Sequence, residues 1–212
     1  MKKIILVIAA VFTMKCIHAQ SFEKGDRFFD ANLGIAVYTT TIKDNQTKKD
    51  TTRKPGAASV MITPAMEWAL GKRISVGGSL AYSHYLQGKD STGTKPSVAG
   101  LDGNFLFNFH FVKSKHVDLF TGLKLGLAGI RMNPNDKTSN IYGSMGRSSD
   151  LHLGGRFYVS DKIGIITYIG LPSYMFRKFG NSLDYTYTLK FRGFYIGTGL
   201  AVKFNKSSGE KK

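Results

Sequence analysis

The sequence predicts an all-β fold: an eight-stranded, antiparallel, up-and-down transmembrane β-barrel. Three observations lead there. An export signal opens the chain, eight later segments alternate apolar and polar residues with a period of two, and the connections between them alternate short and long. The 212 residues allow one such domain. Hydrophobic residues at 42% and charged residues at 21% exclude a chain disordered throughout, and 24 glycines without a Gly-X-Y period exclude collagen.

The first element is the signal. Lys2 and Lys3 form a positive start, residues 4–14 an apolar stretch, and Ile17-His18-Ala19 a small-residue cleavage site. Residues 1–19 are thus predicted to be a signal peptide, 20–204 the barrel, and 205–212 a basic polar tail. A lipoprotein signal at Cys16 fits poorly, because Lys15 stands where a small residue is wanted. That single cysteine also excludes a disulfide framework and a cysteine-based zinc site. No apolar run of membrane-helix length follows Ala19.

The eight strands follow in order, at roughly 30–38, 58–70, 73–85, 99–111, 117–131, 150–159, 163–171 and 189–204. The first sets Leu33, Ile35 and Val37 against Asn32 and Gly34. The second sets Val60, Ile62, Met66, Trp68 and Leu70 against Glu67. In the third, Ile74, Val76, Leu80 and Tyr82 oppose Ser75 and Ser79. The fourth places Leu101, Phe105, Phe107 and Phe109 opposite Asp102, Asn104, Asn108 and His110. The fifth places Leu119, Leu123, Leu125 and Leu127 opposite Asp118, Gly122 and Lys124. Leu151, Leu153 and Phe157 oppose His152 and Arg156 in the sixth; Ile163, Ile165, Ile169 and Leu171 oppose Tyr168 in the seventh. Phe194, Ile196, Leu200 and Val202 oppose Gly197 and Gly199 in the eighth. Residues 71–72, 112–116 and 160–162 make short turns, whereas 39–57, 86–98, 132–149 and 172–188 are long, polar connections. Pro64 cannot donate to a sheet ladder and predicts a bulge, with Gly77-Gly78 opposite it.

The two faces decide the solvent. The apolar set carries no charge, and the opposite set is small and polar with a few charges. In a soluble, lipocalin-like carrier the apolar set would line a ligand cavity, and the outer wall would consist mostly of Gly, Ser, Ala and Asn. A soluble wall carries many Lys and Glu instead. A charge facing lipid at mid-membrane costs about 2–4 kcal/mol. An apolar belt facing lipid and a polar lumen therefore account for both sets. Trp68, Phe109, Phe157 and Phe204 fall near the short-turn end and Tyr82 towards the long-loop end, as membrane-interface aromatics do.

With these features the chain resembles the outer-membrane β-barrel family, the small OmpA/OmpX-type eight-stranded barrels of Gram-negative bacteria. The resemblance covers Phe28 to Phe204. It rests on the signal, on the opening Phe29-Asp30-Ala31-Asn32-Leu33-Gly34-Ile35-Ala36-Val37, on the Gly-rich hairpins, and on the last strand from Gly193 to Phe204. It implies a monomer in the outer membrane, in contact with its lipid and handled by the barrel assembly machinery during insertion. The family often ends on an aromatic; here Phe204 takes that place, but residues 205–212 follow it. No catalytic or cofactor motif comes with the resemblance.

Charge follows the same geometry. The formal charge is +16, and cleavage after Ala19 removes three lysines to leave +13. Export excludes nucleic acid as the partner. The excess lies at the rims: Lys43, Lys48, Lys49, Arg53 and Lys54 in the first long connection suit contacts with lipopolysaccharide phosphates. The lumen nearly cancels. Glu67 and Arg156 stand at similar heights on opposite walls and are expected to pair, with His110 and Asp118 nearby and Lys124 and Asp102 in the same network. Such a network would plug the barrel.

The chemistry of enzymes is sparse. No His pair has a metal spacing, and no Gly-x-Ser-x-Gly elbow occurs. Ser83 and His84 are adjacent in a strand, so they point to opposite faces and cannot act as a pair. The sequence therefore predicts a non-enzymatic structural or surface-interaction barrel without metal or cofactor. A narrow pore for small solutes, a soluble carrier and a lipid-modifying enzyme are the alternatives.

Overall fold

Extended backbone leaves N–H and C=O groups at every residue, and in a bilayer each must be paired within the protein. The chain meets this demand by closing its sheet. The computed structural model describes residues 22–44, 50–86, 97–114, 116–133, 142–179 and 187–204, with backbone alone for 44, 50–56, 142, 178–179 and 187. Eight strands form the barrel: β1 (Arg27–Asp44), β2 (Asp50–Ala69), β3 (Ile74–Leu86), β4 (Ser97–Lys113), β5 (Val117–Asn133), β6 (Tyr142–Tyr158), β7 (Ile163–Phe179) and β8 (Tyr187–Phe204). Each pairs antiparallel with the next, and β8 returns to β1 from Arg27↔Phe204 to Asp44↔Tyr187, so no edge remains. The predicted signal peptide, Gln20, and the tail 205–212 lie outside the described residues.

The two faces separate as the alternation requires. Leu33, Ile35, Ile62, Leu80, Leu101, Phe105, Leu125, Leu151, Ile165 and Ile196 are exposed on the outer wall, while Asp30, Glu67, His110, Asp118 and Arg156 are buried inside. An apolar outside and a charged inside invert a soluble carrier, so the lipocalin-like arrangement does not hold. At the short-turn end Trp68, Phe109, Phe157 and Phe204 all face outwards, and Trp68 and Phe204 flank Arg27 in register. Tyr82 also faces outwards, two outward positions below the end of β3 at Leu86.

Four expectations need correction. The strands run further towards the long-loop end than the alternation showed: β1 continues to Asp44, β2 begins at Asp50, β6 at Tyr142, and β7 runs to Phe179. Much of the expected long connections is therefore paired backbone. There the outward face turns polar and aromatics such as Tyr174, Phe176 and Phe191 enter the lumen, so the apolar-out, polar-in contrast ends although the ladder continues. Pro64 makes no bulge. Thr63 and Pro64 leave a gap in the β2–β3 ladder between Ile62↔Tyr82 and Ala65↔Ser79 without changing register, and Ala31↔Pro64 still pairs on the other side. The missing N–H removes a bond but adds no residue. Gly77 and Gly78 stand opposite Glu67 and Met66 rather than Pro64. Register shifts fall instead at Tyr38/Thr40, His110/Val112 and Arg177/Phe179.

Finally, the lumen is not merely small and polar. Its long-loop half holds an aromatic cluster of Tyr38, Tyr85, Tyr174, Phe176 and Phe191, with ring centroids 5.6–6.3 Å apart. Inward glycines make this filling fit. A Cβ on Gly154 would overlap the Phe120 ring, and one on Gly170 would overlap Tyr195.

Candidate functional site

In the lumen, charged and polar side chains converge from seven strands. Near the short-turn end, β1 supplies Asp30, β2 Glu67, β3 Ser75, β4 His110, β5 Asp118, β6 Arg156 and β7 Tyr168, each on the inward parity of its strand. On β8 the facing position is Ala201, which pairs with Asp30 and leaves room for the guanidinium.

Arg156 is fully buried and sits at the centre. Its Nε and Nη2 donate to the two oxygens of Asp30 at 3.2 and 2.8 Å, its Nη1 donates to Asp118 Oδ2 at 3.0 Å, and its Nη2 also meets Glu67 Oε2. The rings of Phe28 and Phe120 lie 4.5 and 4.7 Å from its central carbon as cation–π partners. Tyr168 donates its hydroxyl to Asp30 at 3.2 Å. The planar fork of arginine suits this three-carboxylate cradle; a lysine could fill only one corner.

His110 completes the cluster. Its Nδ1 lies 2.7 Å from Asp118 Oδ1 and its Nε2 lies 3.0 Å from Glu67 Oε1. Ser75 Oγ stands 2.9 Å from the same Nε2 and donates to Glu67. Ser75, His110 and Asp118 thus have the order of a nucleophile–base–carboxylate triad. The protonation pattern opposes that use. Both ring nitrogens face carboxylates, and a ring that donates to both has no free lone pair with which to take a proton from serine. The serine proton is already directed at Glu67. The ring is also covered: Phe22 stacks on it at 3.7 Å between centroids.

Phe22 belongs to a strap that sequence reasoning missed. Phe22 is fully buried and stacks at 5.6 Å on Phe28. Gly25, with φ of 93°, turns the chain, and paired bonds of 2.9 Å, Gly25 N–H to Ala69 O and Ala69 N–H to Asp26 O, hold it to the end of β2. Lys203 Nζ closes on Asp26 at 2.8 Å. The strap therefore covers His110 and Phe28 at the short-turn end. The signal in the sequence was slight: one aromatic before a Gly-Asp pair.

Lys124 and Asp102, expected in the Arg156 network, occupy a separate middle layer. Lys124 Nζ lies 3.4 Å from Asp150 and donates to Tyr195 OH at 3.2 Å. Asp102 accepts from Asn104 at 2.9 Å, and Asn104 accepts from Ser148 at 2.6 Å. The space among these groups is a cavity of about 20 Å³, room for about one water. Asp30 and Asp150 were also missed, although each shares the parity of a recognised inward residue, Asn32 and His152.

Other candidates stand apart. Ser83 faces inwards and His84 outwards, so they form no pair. Lys48 and Lys49 lie outside the described residues, Arg53 and Lys54 are described by backbone alone within β2, and Lys43 is half-buried near the end of β1. Among the described residues no group of three His, Cys, Asp or Glu side chains has the geometry to hold a metal ion.

No family model matches this sequence. No curated protein matches it either. Solved structures do. The outer membrane protein OprG from Pseudomonas aeruginosa superposes with a TM-score of 0.59 at 10% identity, over 87% of this chain and 98% of that one. The outer membrane protein AlkL, determined in lipid bilayers, gives 0.56 at 11% identity, over 92% and 97%. The outer membrane protease OmpT from Escherichia coli aligns more loosely, at 0.46 and 12% identity over 88% and 99%, and bears on nothing further. The chain thus has the fold of the outer-membrane β-barrels, and its apolar outer belt suits the same bilayer.

Proposed function

We propose that this protein is a non-enzymatic outer-membrane barrel, monomeric, with a structural or surface-interaction role at its long-loop end. The observation that carries this reading is a lumen filled along its length: the strap and the Arg156 cluster at one end, the Lys124 layer in the middle, the tyrosines and phenylalanines at the other. A filled lumen supports neither solute passage nor entry of a substrate to Ser75 and His110. What remains for contact with the surroundings is the lipid-facing wall and the long-loop rim. There Lys43, Lys48, Lys49, Arg53 and Lys54 bring positive charge to outer-leaflet phosphates, including those of lipopolysaccharide. The charge cluster of Glu67, Arg156, Asp118 and His110 is assigned a plugging role, and insertion is assigned to the barrel assembly machinery.

The test combines three measurements on outer-membrane material. Gel mobility with and without boiling reports the folded barrel. Planar-bilayer recordings report conductance, and an ester-hydrolysis assay reports catalysis. The reading expects a mobility shift, no unitary conductance steps and no hydrolysis above a Ser75→Ala control. Steady unitary steps, or hydrolysis that Ser75→Ala abolishes, would replace it with a pore or an enzyme.

A further inference from the structure

Above the apolar belt, the outer wall of β6, β7 and β8 changes chemistry within two residues. From the short-turn end, the outward side chains of β8 are Phe204, Val202, Leu200, Thr198, Ile196 and Phe194, and then Arg192 and Lys190. The ten-residue interval from Phe204 to Phe194 rises about 33 Å along a strand, or about 25 Å along the membrane normal at a tilt of ~40°. That is the height of the apolar band of an outer-membrane barrel. Arg192 therefore enters the headgroup layer. Arg147 reaches it from β6, since Arg147 pairs with Met175, Met175 with Lys190, and Ser173 with both Ser149 and Arg192.

These cations border a groove of about 430 Å³ with Ser149, Ser173 and Met175 between them. Arg147 and Arg192 are exposed and Lys190 is half-exposed. Among the described residues no carboxylate lines the groove. Three cations within about two strand spacings, ~10 Å, repel one another until an anion joins them. Phosphate is the anion that arginine forks match bidentately, and serine hydroxyls can donate to its remaining oxygens.

We propose that this groove binds the phosphate of an outer-leaflet lipopolysaccharide, with the acyl chains lying below it along Leu151, Leu171 and Phe194. The commitment to a lipid, rather than free phosphate, rests on the continuous apolar wall directly beneath the cations. The inference deepens the membrane reading above and depends on it.

The test titrates lipopolysaccharide, native and dephosphorylated, against the full-length folded barrel in detergent micelles, with inorganic phosphate as competitor. A variant combining Arg147→Gln, Lys190→Gln and Arg192→Gln is compared with one combining Lys72→Gln, Arg73→Gln and Lys162→Gln, which removes equal charge at the opposite rim. The groove variant is expected to bind native lipopolysaccharide at least tenfold more weakly, and the control within twofold of wild type. Dephosphorylated lipopolysaccharide should bind wild type and groove variant alike. An unchanged groove variant, an equal loss in the control, or full displacement by inorganic phosphate would each overturn the site. The boiling-dependent mobility shift, run on every sample, keeps the two levels apart: its absence in wild type would sink the membrane reading itself. Should the triple variant lose its shift, single Arg147→Gln and Arg192→Gln barrels carry the comparison.

Discussion

Arg156 holds three buried carboxylates, Asp30, Glu67 and Asp118, and its own solvation is replaced by them and by two aromatic faces. Removing one partner of a buried ionic group costs about 3–5 kcal/mol, because the charges left behind have nowhere to go. Arg156→Gln leaves three such charges with only His110 for company, so its loss should lie at the upper end of that range. Glu67→Ala leaves Arg156 with two carboxylates and should cost distinctly less. Urea-dependent folding into vesicles measures both; equal midpoints for Glu67→Ala and wild type would remove Glu67 from the cluster's energetics. Much of this cluster was legible. Glu67, Arg156, His110 and Asp118 each interrupt an otherwise uncharged alternation, and a charge on the inward parity of a narrow barrel has only other lumen groups to meet. Asp30 was not read because it lies at the first residue of the recognised segment, before the alternation is established. The split between the Arg156 and Lys124 layers was not legible either. It depends on the stagger between strands, which the turns and bulges set and which no single strand reveals.

At the scale of elements, the strap and the glycines give opposite kinds of prediction. The strap is a short segment ahead of β1, held by the stacks of Phe22 on His110 and Phe28, two backbone bonds to Ala69 and one ion pair. Such a segment can undock while the barrel stays closed, so its loss is a local opening. Phe22→Ala should speed amide exchange at Gly25 and Ala69 at least tenfold, read by NMR, while the boiling-dependent mobility shift persists. Unchanged exchange would mean that the stack on His110 does not hold the strap. Gly170 is different, since it lies within β7 and its partner Tyr195 within β8. Gly170→Leu drives a side chain into Tyr195 and Asp150, which no local opening relieves. Overpacking costs about 1–3 kcal/mol, and the variant should refold into vesicles with a lowered urea midpoint. A midpoint equal to wild type would show that Tyr195 has another place to go. The strands themselves were legible wherever lipid faces one side and the lumen the other. The upper ends of β6 and β7 were not, because there the outward face turns polar while Tyr174 and Phe176 put apolar surface inwards, which reverses the pattern that marks the strands below.

At the scale of the whole molecule, closure is a property of stacked layers rather than of any one contact. Eight strands leave an interior just wide enough for side chains. Here those side chains are ordered as charge cluster, lysine–tyrosine layer and aromatic cluster, with the strap beneath. On the proposed reading each layer closes the lumen, and a pore in series conducts only if every layer opens. A barrel with Phe22→Ala should therefore stay electrically silent, because Arg156 and its carboxylates remain above the vacated ring position. A barrel with Tyr174→Ala and Phe191→Ala should also stay silent, because the two polar layers remain below. Only a combination that breaches the aromatic cluster, shortens Lys124 and Arg156 and removes the Phe22 ring should give unitary steps in planar bilayers. Steps from either of the first two variants would mean that the remaining layers do not seal, and that the lumen is held shut at one constriction. Silence from all three, with the mobility shift retained, would mean that lumen side chains outside these layers close the barrel.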